Sequence, residues 1–218
     1  MHVSTDIVYG TDMGVFDEHT QAIPVNVYGE TKLAFDDLVK AQLPTRSVIL
    51  RASNILGPLP PYDPSRKKFV QWLQNEVDDA HPKYRQQEWD PIKLFSDELR
   101  CYVSVYDVVE AISKLTMSFV REQGASIPVH LILGGGPEAL TRVELTERLL
   151  NVFGYSRTSG GDKRPKYLSV KRSEVALDCP APVKIVMKNS HFEQLLGRKP
   201  KSVVDIFHDL AGNRSSGT

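Results

Sequence analysis

Tyr28 and Lys32, in the run Val27-Tyr28-Gly29-Glu30-Thr31-Lys32, stand four residues apart. On a helix that spacing projects both side chains from one face. A free tyrosine has a pKa of about 10, so its phenol exchanges protons poorly at neutral pH unless a nearby cation favours the phenolate. An ammonium one turn along supplies that field. Such a tyrosine could give a proton to a carbonyl oxygen as hydride reaches its carbon, or take one from an alcohol in the reverse direction. The chemistry also needs a hydroxyl to orient the carbonyl, and Thr5, in Ser4-Thr5-Asp6-Ile7-Val8-Tyr9, sits at the end of the preceding strand. A blander account is open for each residue: an incidental tyrosine on a solvated helix face, and a strand-end hydroxyl bonded to backbone.

To hold these side chains the chain must supply a strand, a helix and a second strand. Val3 to Tyr9 reads as the end of a strand, followed by a polar loop through Asp12, Gly14 and Glu18. A helix from Asn26 is expected from the spacing of Leu33, Ala34, Leu38 and Ala41, ending at Pro44. Val48-Ile49-Leu50, within Arg46 to Arg51, is short and apolar enough for a buried parallel strand, and Gly57-Pro58-Leu59-Pro60-Pro61 breaks the chain into a loop.

Further on, Phe69, Trp72, Leu73 and Val77 mark one face of a helix over about 65–77, and the polar stretch 78–91 reads as a variable surface loop. Ile92 to Phe95, Cys101 to Val105 and Val129 to Leu133 are expected strands, and a helix from Asp107 turns Val108, Ile112 and Leu115 inward. Gly134-Gly135-Gly136-Pro137 reads as a strand-to-helix loop beside a substrate cleft, because Glu138 would disfavour a phosphate there. Thr141 and Glu144 form a capping box that opens a helix carrying Leu145, Leu149, Leu150 and Phe153. Strands and helices alternate, so the class is α/β. The tail from Gly212 to Thr218 reads as disordered.

Composition narrows the function. Lysine plus arginine and aspartate plus glutamate both number 27 in the 218 residues, so no net field favours nucleic acid or an anionic membrane. The six histidines lack metal-ligand spacing, and His130, in an apolar strand, reads as structural. Cys101 and Cys179 lie far apart and read as reduced, small apolar residues. Neither a membrane-spanning run nor a signal sequence is legible, and the cytoplasm is the expected compartment.

Five ordered blocks carry a resemblance. They are Ser4-Thr5-Asp6-Ile7-Val8-Tyr9; Asn26 to Leu33; Leu50-Arg51-Ala52-Ser53-Asn54-Ile55-Leu56-Gly57-Pro58; Arg100 to Val109; and Leu133-Gly134-Gly135-Gly136, with a further short likeness at Leu196-Gly197-Arg198-Lys199-Pro200. In order and spacing they resemble the extended short-chain dehydrogenase/reductases that act on nucleotide sugars, of the dTDP-4-dehydrorhamnose reductase (RmlD-like) type. That group includes the regulatory beta subunit of methionine adenosyltransferase. The resemblance implies Thr5 as the hydroxyl on the substrate carbonyl, Tyr28 as the acid/base, and Lys32 as the lysine that lowers the tyrosine pKa and holds the nicotinamide ribose. It implies Asn54 facing substrate and Arg100 meeting a diphosphate, although Asn54 could serve only as a turn residue and Arg100 could pair at the surface with Asp97 and Glu98.

The implied fold is an incomplete Rossmann-like parallel sheet, its second half, with a small C-terminal substrate-binding subdomain. Residues 1–58 would be that second half, 59–211 the Rossmann remainder with the substrate-binding region, and 212–218 the tail. The family's glycine-rich pyrophosphate turn is not in the sequence, and about ninety to a hundred residues would precede Met1 in an intact member. NAD or NADP is the cofactor of such a member, and this chain is expected to bind none alone. Two functions follow from the resemblance: a reductase or epimerase-like protein acting on a nucleotide-linked keto sugar, or a non-catalytic partner of the methionine adenosyltransferase catalytic subunit.

Overall fold

The computed structural model describes residues 1–10, 14–58, 68–76, 92–121, 127–154, 157–158, 161–162, 167–176 and 178–215. From the N-terminus the chain forms His2–Thr5 (β1), a 3-10 turn at Asp6–Val8, Gly14–Phe16 (β2), Val27–Gln42 (α1), Arg46–Ala52 (β3) and Asn54–Leu56 (β4). Next come Phe69–Glu76 (α2), Ile92–Phe95 (β5), Leu99–Ser104 (β6), Val105–Arg121 (α3), Ile127–Gly134 (β7), Ala139–Leu140 (β8) and Arg142–Val152 (α4). Arg157–Thr158 (β9), Gly161–Asp162 (β10), Tyr167–Val170 (β11), Lys184–Met187 (β12), Ser190–Leu196 (α5) and Val203–Ser215 (α6) follow.

Parallel pairing dominates, as expected for an α/β chain. One sheet has the order β1-β3-β7, with Val3 opposite Leu50 and Leu50 opposite Ile132. The Val48-Ile49-Leu50 run is its central strand, buried because partners flank it on both sides. A second sheet has the order β2-β12-β6-β4, all parallel, with β8 antiparallel on β6. At Ser53 the chain leaves the first sheet and enters the second: Ala52 pairs with Gly134, while Asn54 pairs with Tyr102. The carboxyl ends of β1 and β3 therefore open onto the seam between the sheets, where ligands bind in open α/β folds.

Helix α1 starts where its cap dictates. Asn26 Oδ1 accepts the Gly29 N–H at 2.8 Å, and the helix ends just before Pro44. The spacing of Leu33, Ala34, Leu38 and Ala41 marks the helix but not a buried face, since Ala34, Leu38 and Ala41 are exposed and Leu33 is only partly covered. Its buried residues are Gly29 and Asp36. A Cβ on Gly29 would stand 2.8 Å from the Ile7 carbonyl, so glycine lets the helix approach the turn after β1. Asp36 accepts Arg51 Nε at 2.9 Å, and Arg51 donates on to the Tyr9 hydroxyl at 2.8 Å. Polar locks, more than apolar contact, fasten this helix.

Helix α4 is anchored in the opposite way. Its Thr141–Glu144 capping box forms as the sequence predicts, and Leu145, Leu149 and Leu150 are fully buried against Leu73, Tyr102 and Phe207. Each buried leucine contributes about 1.5–3 kcal/mol.

Several boundaries differ from the sequence expectation. The stretch read as polar loop contains β2, whose Phe16 is buried and which pairs with β12. Strand β6 begins earlier than Cys101 and stops at Ser104, so α3 starts at Val105 rather than Asp107. Helix α2 begins at Phe69; Val77, residues 65–67 and the stretch 78–91 lie outside the described residues. Helix α6 runs through 212–215, part of the expected tail. Cys101 is buried as expected, whereas Cys179 is exposed rather than packed.

Candidate active site

At the seam lies a cleft of about 550 Å³, within the size range of small-molecule sites. One wall is the end of β1 with the following turn (Ser4 to Ile7) and Tyr28 from α1; the floor is Ala52 to Leu56; the other wall is Lys68 to Val70, Tyr102 and Arg142. Three of the residues singled out by sequence, Thr5, Tyr28 and Asn54, thus share one cavity. Tyr28 is exposed at its mouth, and Asn54 belongs to β4 rather than to a turn. Lys32, one helical turn beyond Tyr28, donates to the Val3 carbonyl of β1 at 3.1 Å, which ties α1 to the strand that carries Thr5.

Thr5 holds the turn that follows it. Its Oγ1 accepts the Ile7 N–H at 3.3 Å and donates to Asp6 Oδ1 at 3.3 Å. The backbone-bonded account of this hydroxyl therefore holds, and its one proton is given to Asp6. Arg100 lies behind the cleft. It is buried, donates to the Leu99 carbonyl at 3.0 Å and to the Pro182 carbonyl, and pairs with Glu98 at 3.5 Å. Its pairing with Glu98 is interior, not on the surface as the sequence alternative had it.

Residues that sequence reasoning missed give the cleft its character. Among the described residues, eight buried side-chain polar atoms lack a hydrogen bond, and four of those belong to the ion pairs His2–Asp36, Glu18–His191 and Glu138–Arg148. The remaining four, Ser4 Oγ, Asp6 Oδ2, Ser53 Oγ and Tyr102 Oη, all belong to residues lining this cleft. An unmade buried hydrogen bond costs about 1–3 kcal/mol, so their convergence favours a ligand rich in hydroxyls. Burial pushes the Tyr102 phenol up to about 12, against a smaller pull from Arg142, which keeps it a proton donor. Burial raises Asp6 to about 6, opposed first by the Arg100 charge and then by the Thr5 hydroxyl. Asp6 and Tyr102 lie inside the sequence blocks that carried the resemblance; Arg142 and Lys68 gave no sequence signal.

The glycine cluster has a packing role. Gly135 N–H donates to Asn189 Oδ1 at 3.0 Å and Asn189 Nδ2 donates to the Gly136 carbonyl at 2.6 Å, so this turn is closed by a side chain. A Cβ on Gly136 would fall 1.9 Å from the Tyr102 carbonyl, beneath the side chain that lines the cleft. The turn leads into β8 before α4, a short strand that the sequence reading did not foresee.

A nicotinamide dinucleotide presents ribose hydroxyls and a pyrophosphate. Of the residues named for the ribose, Tyr28 stands exposed at the cleft and the Lys32 amine donates to the Val3 carbonyl. Among the described residues the glycine turn offers the pyrophosphate no cradle, its Gly135 N–H being taken by Asn189. Also among the described residues, no group of three His, Cys, Asp or Glu could hold a metal ion, and no helix is long and apolar enough to cross a membrane.

The sequence matches the RmlD substrate binding domain family over residues 1–209. No curated protein matches it closely enough to count as a relative. Solved structures share its fold. dTDP-4-dehydrorhamnose reductase from Yersinia enterocolitica aligns with a TM-score of 0.71 at 18% identity, over 97% of this chain and 65% of that one. UDP-glucose-4-epimerase from Stenotrophomonas maltophila, with bound NAD and formylated UDP-arabinopyranose, gives 0.67 at 19%, over 99% and 64%. UDP-glucuronic acid 4-epimerase from Bacillus cereus, in complex with UDP-glucuronic acid and NAD, gives 0.66 at 20%, over 98% and 61%. The chain thus spans less than two thirds of the length of each of these proteins.

Proposed function

The chain belongs to the RmlD substrate binding domain family, and from that premise we propose that it is the substrate-binding part of an NAD(P)-dependent reductase or epimerase-like protein acting on a nucleotide-linked keto sugar. The observation that carries this reading is the cleft in which Thr5, Tyr28 and Asn54 meet four buried, unpartnered side-chain oxygens. In the proposed roles Thr5 and Asn54 orient the sugar, Tyr28 holds or moves the proton at the sugar oxygen, and Lys32 stabilises the tyrosine anion. Arg100 acts on the ligand through Asp6, whose carboxylate it favours. NAD(P), when bound, supplies the hydride.

The chain alone is proposed to bind nucleotide sugar without turnover. Residues 1–58 work in this reading as the second half of a Rossmann fold, and 59–211 as the Rossmann remainder together with the substrate-binding region. The unpaired thiols Cys101 and Cys179 support a cytoplasmic setting.

Calorimetric titration of the chain with UDP- and dTDP-sugars, NADH and NADPH is the direct test. Sugar nucleotides should bind and the dinucleotides should not; tight binding of either dinucleotide would defeat the reading that the chain alone does not hold the cofactor. After fusion to the dinucleotide-binding half of a related reductase, Tyr28→Phe should abolish turnover with cofactor affinity nearly unchanged. Sugar binding without any Tyr28-dependent turnover would instead make the chain a non-catalytic binding protein, for which co-purification with the methionine adenosyltransferase catalytic subunit is the next assay.

A further inference from the structure

The wall of the cleft facing Tyr28 differs in charge from the rest of it. Arg142, the first residue of α4, lies over the Phe69 ring with its guanidinium carbon 4.2 Å from the centroid. No carboxylate pairs with it among the described residues. Lys68 adds a second cation at the same wall. Below them the Tyr102 hydroxyl is buried, has no hydrogen-bond partner among the described residues and stays protonated, and so gains by donating to an acceptor in the cleft. A planar guanidinium held by an aromatic face is pre-organised for two-point contact with an oxyanion.

From this we infer that Arg142, steadied on Phe69 and backed by the Tyr102 hydroxyl, forms an anion-binding subsite that holds the acidic group of the ligand and turns its sugar toward Tyr28. The inference rests on the nucleotide-sugar reading but assigns the anion to a residue that the sequence did not single out. Arg100, the residue first expected in this role, has its guanidinium engaged by Leu99, Pro182 and Glu98. The acidic group could be the diphosphate link or a sugar carboxylate. Both ask for the same guanidinium.

The test is titration of the full chain with UDP-glucose, UDP-glucuronic acid, inorganic pyrophosphate and glucuronate. Calorimetry gives the affinity, and in a Trp89→Phe background the fluorescence of Trp72, whose ring lies 5.8 Å from Phe69, reports on the site itself. Arg142→Gln should weaken the nucleotide sugars about ten- to a hundredfold, the usual effect of removing a charge-assisted contact. Phe69→Leu should weaken them less, Arg142→Lys should retain part of the affinity, and Arg121→Gln at the exposed end of α3 should change nothing.

Arg142-dependent binding of pyrophosphate assigns the subsite to the diphosphate; Arg142-dependent binding of glucuronate assigns it to a sugar acid. Either supports the subsite. If these small anions bind through Arg142 while neither nucleotide sugar binds, the subsite stands and the nucleotide-sugar reading falls. Nucleotide sugars that bind wild type and Arg142→Gln equally well leave that reading standing and overturn the subsite. Failure of all four probes to bind wild type overturns both.

Discussion

Asp6 is the residue whose ionisation should be visible in stability. Buried beside the cleft, its carboxyl rises from an ordinary 3.8 to about 6, so the fold holds its proton more tightly than the unfolded chain does. The sign follows from linkage: Asp6 costs nothing below about pH 3.8, disfavours the fold increasingly as pH rises to about 6, and exerts its full effect above that, at most about 3 kcal/mol. Asp6→Asn should remove the effect. Urea denaturation of both proteins from pH 4 to pH 8 should show the variant gaining on wild type through that window, and parallel curves would mean that Asp6 is not buried as described. At this scale the sequence was partly legible. Thr5 and Tyr28 could be named because their types and spacing announce proton chemistry, and Asn54 through the family resemblance of its block. Ser53, Tyr102 and Arg142 could not be singled out, since nothing in a serine, a tyrosine or a helix-opening arginine says which cavity it borders before the strands are paired.

Helix α1 depends on a buried ion pair. Asp36 and Arg51 are almost wholly inaccessible, and His2 Nε2 stands 3.2 Å from the other Asp36 oxygen. Asp36→Ala would strand the Arg51 charge and should cost about 3–5 kcal/mol in chemical denaturation, whereas Asp36→Leu combined with Arg51→Met should recover most of the loss. Equal losses in the single and double variants would refute the ion-pair account. The sequence placed α1 well, through Asn26 and Pro44, but not the face it buries; apolar spacing finds a helix axis, and Asp36 and Gly29 carry no apolar signal. The same limit hid β2 and β12. Only Phe16 of the first is a large buried side chain, and the second acquires its meaning from partners far away in sequence, Gly14 to Phe16 on one side and Leu99 and Arg100 on the other.

For the whole molecule, what is left uncovered governs behaviour. Among the described strands β1 pairs only with β3, which leaves its other edge without a strand partner. Nearby, Val27, Phe35 and Leu38 of α1 are 75%, 48% and 52% exposed. The isolated chain should associate in a concentration-dependent way, measurable by sedimentation velocity, and Val27→Glu with Leu38→Glu should return it toward monomer; a wild type that remains monomeric at high concentration would count against this. The polar fastening of α1 has a further consequence, one of timing. A helix held by an ion pair, a lysine–carbonyl bond and one close glycine contact can detach without emptying the leucine-rich core around α4. Its amide hydrogens should therefore exchange with deuterated water well before those of α4, at an opening free energy below that of global unfolding. Tyr28 travels with α1, so its place at the cleft is an equilibrium, and ligand that bridges the two walls should slow the exchange of α1 selectively.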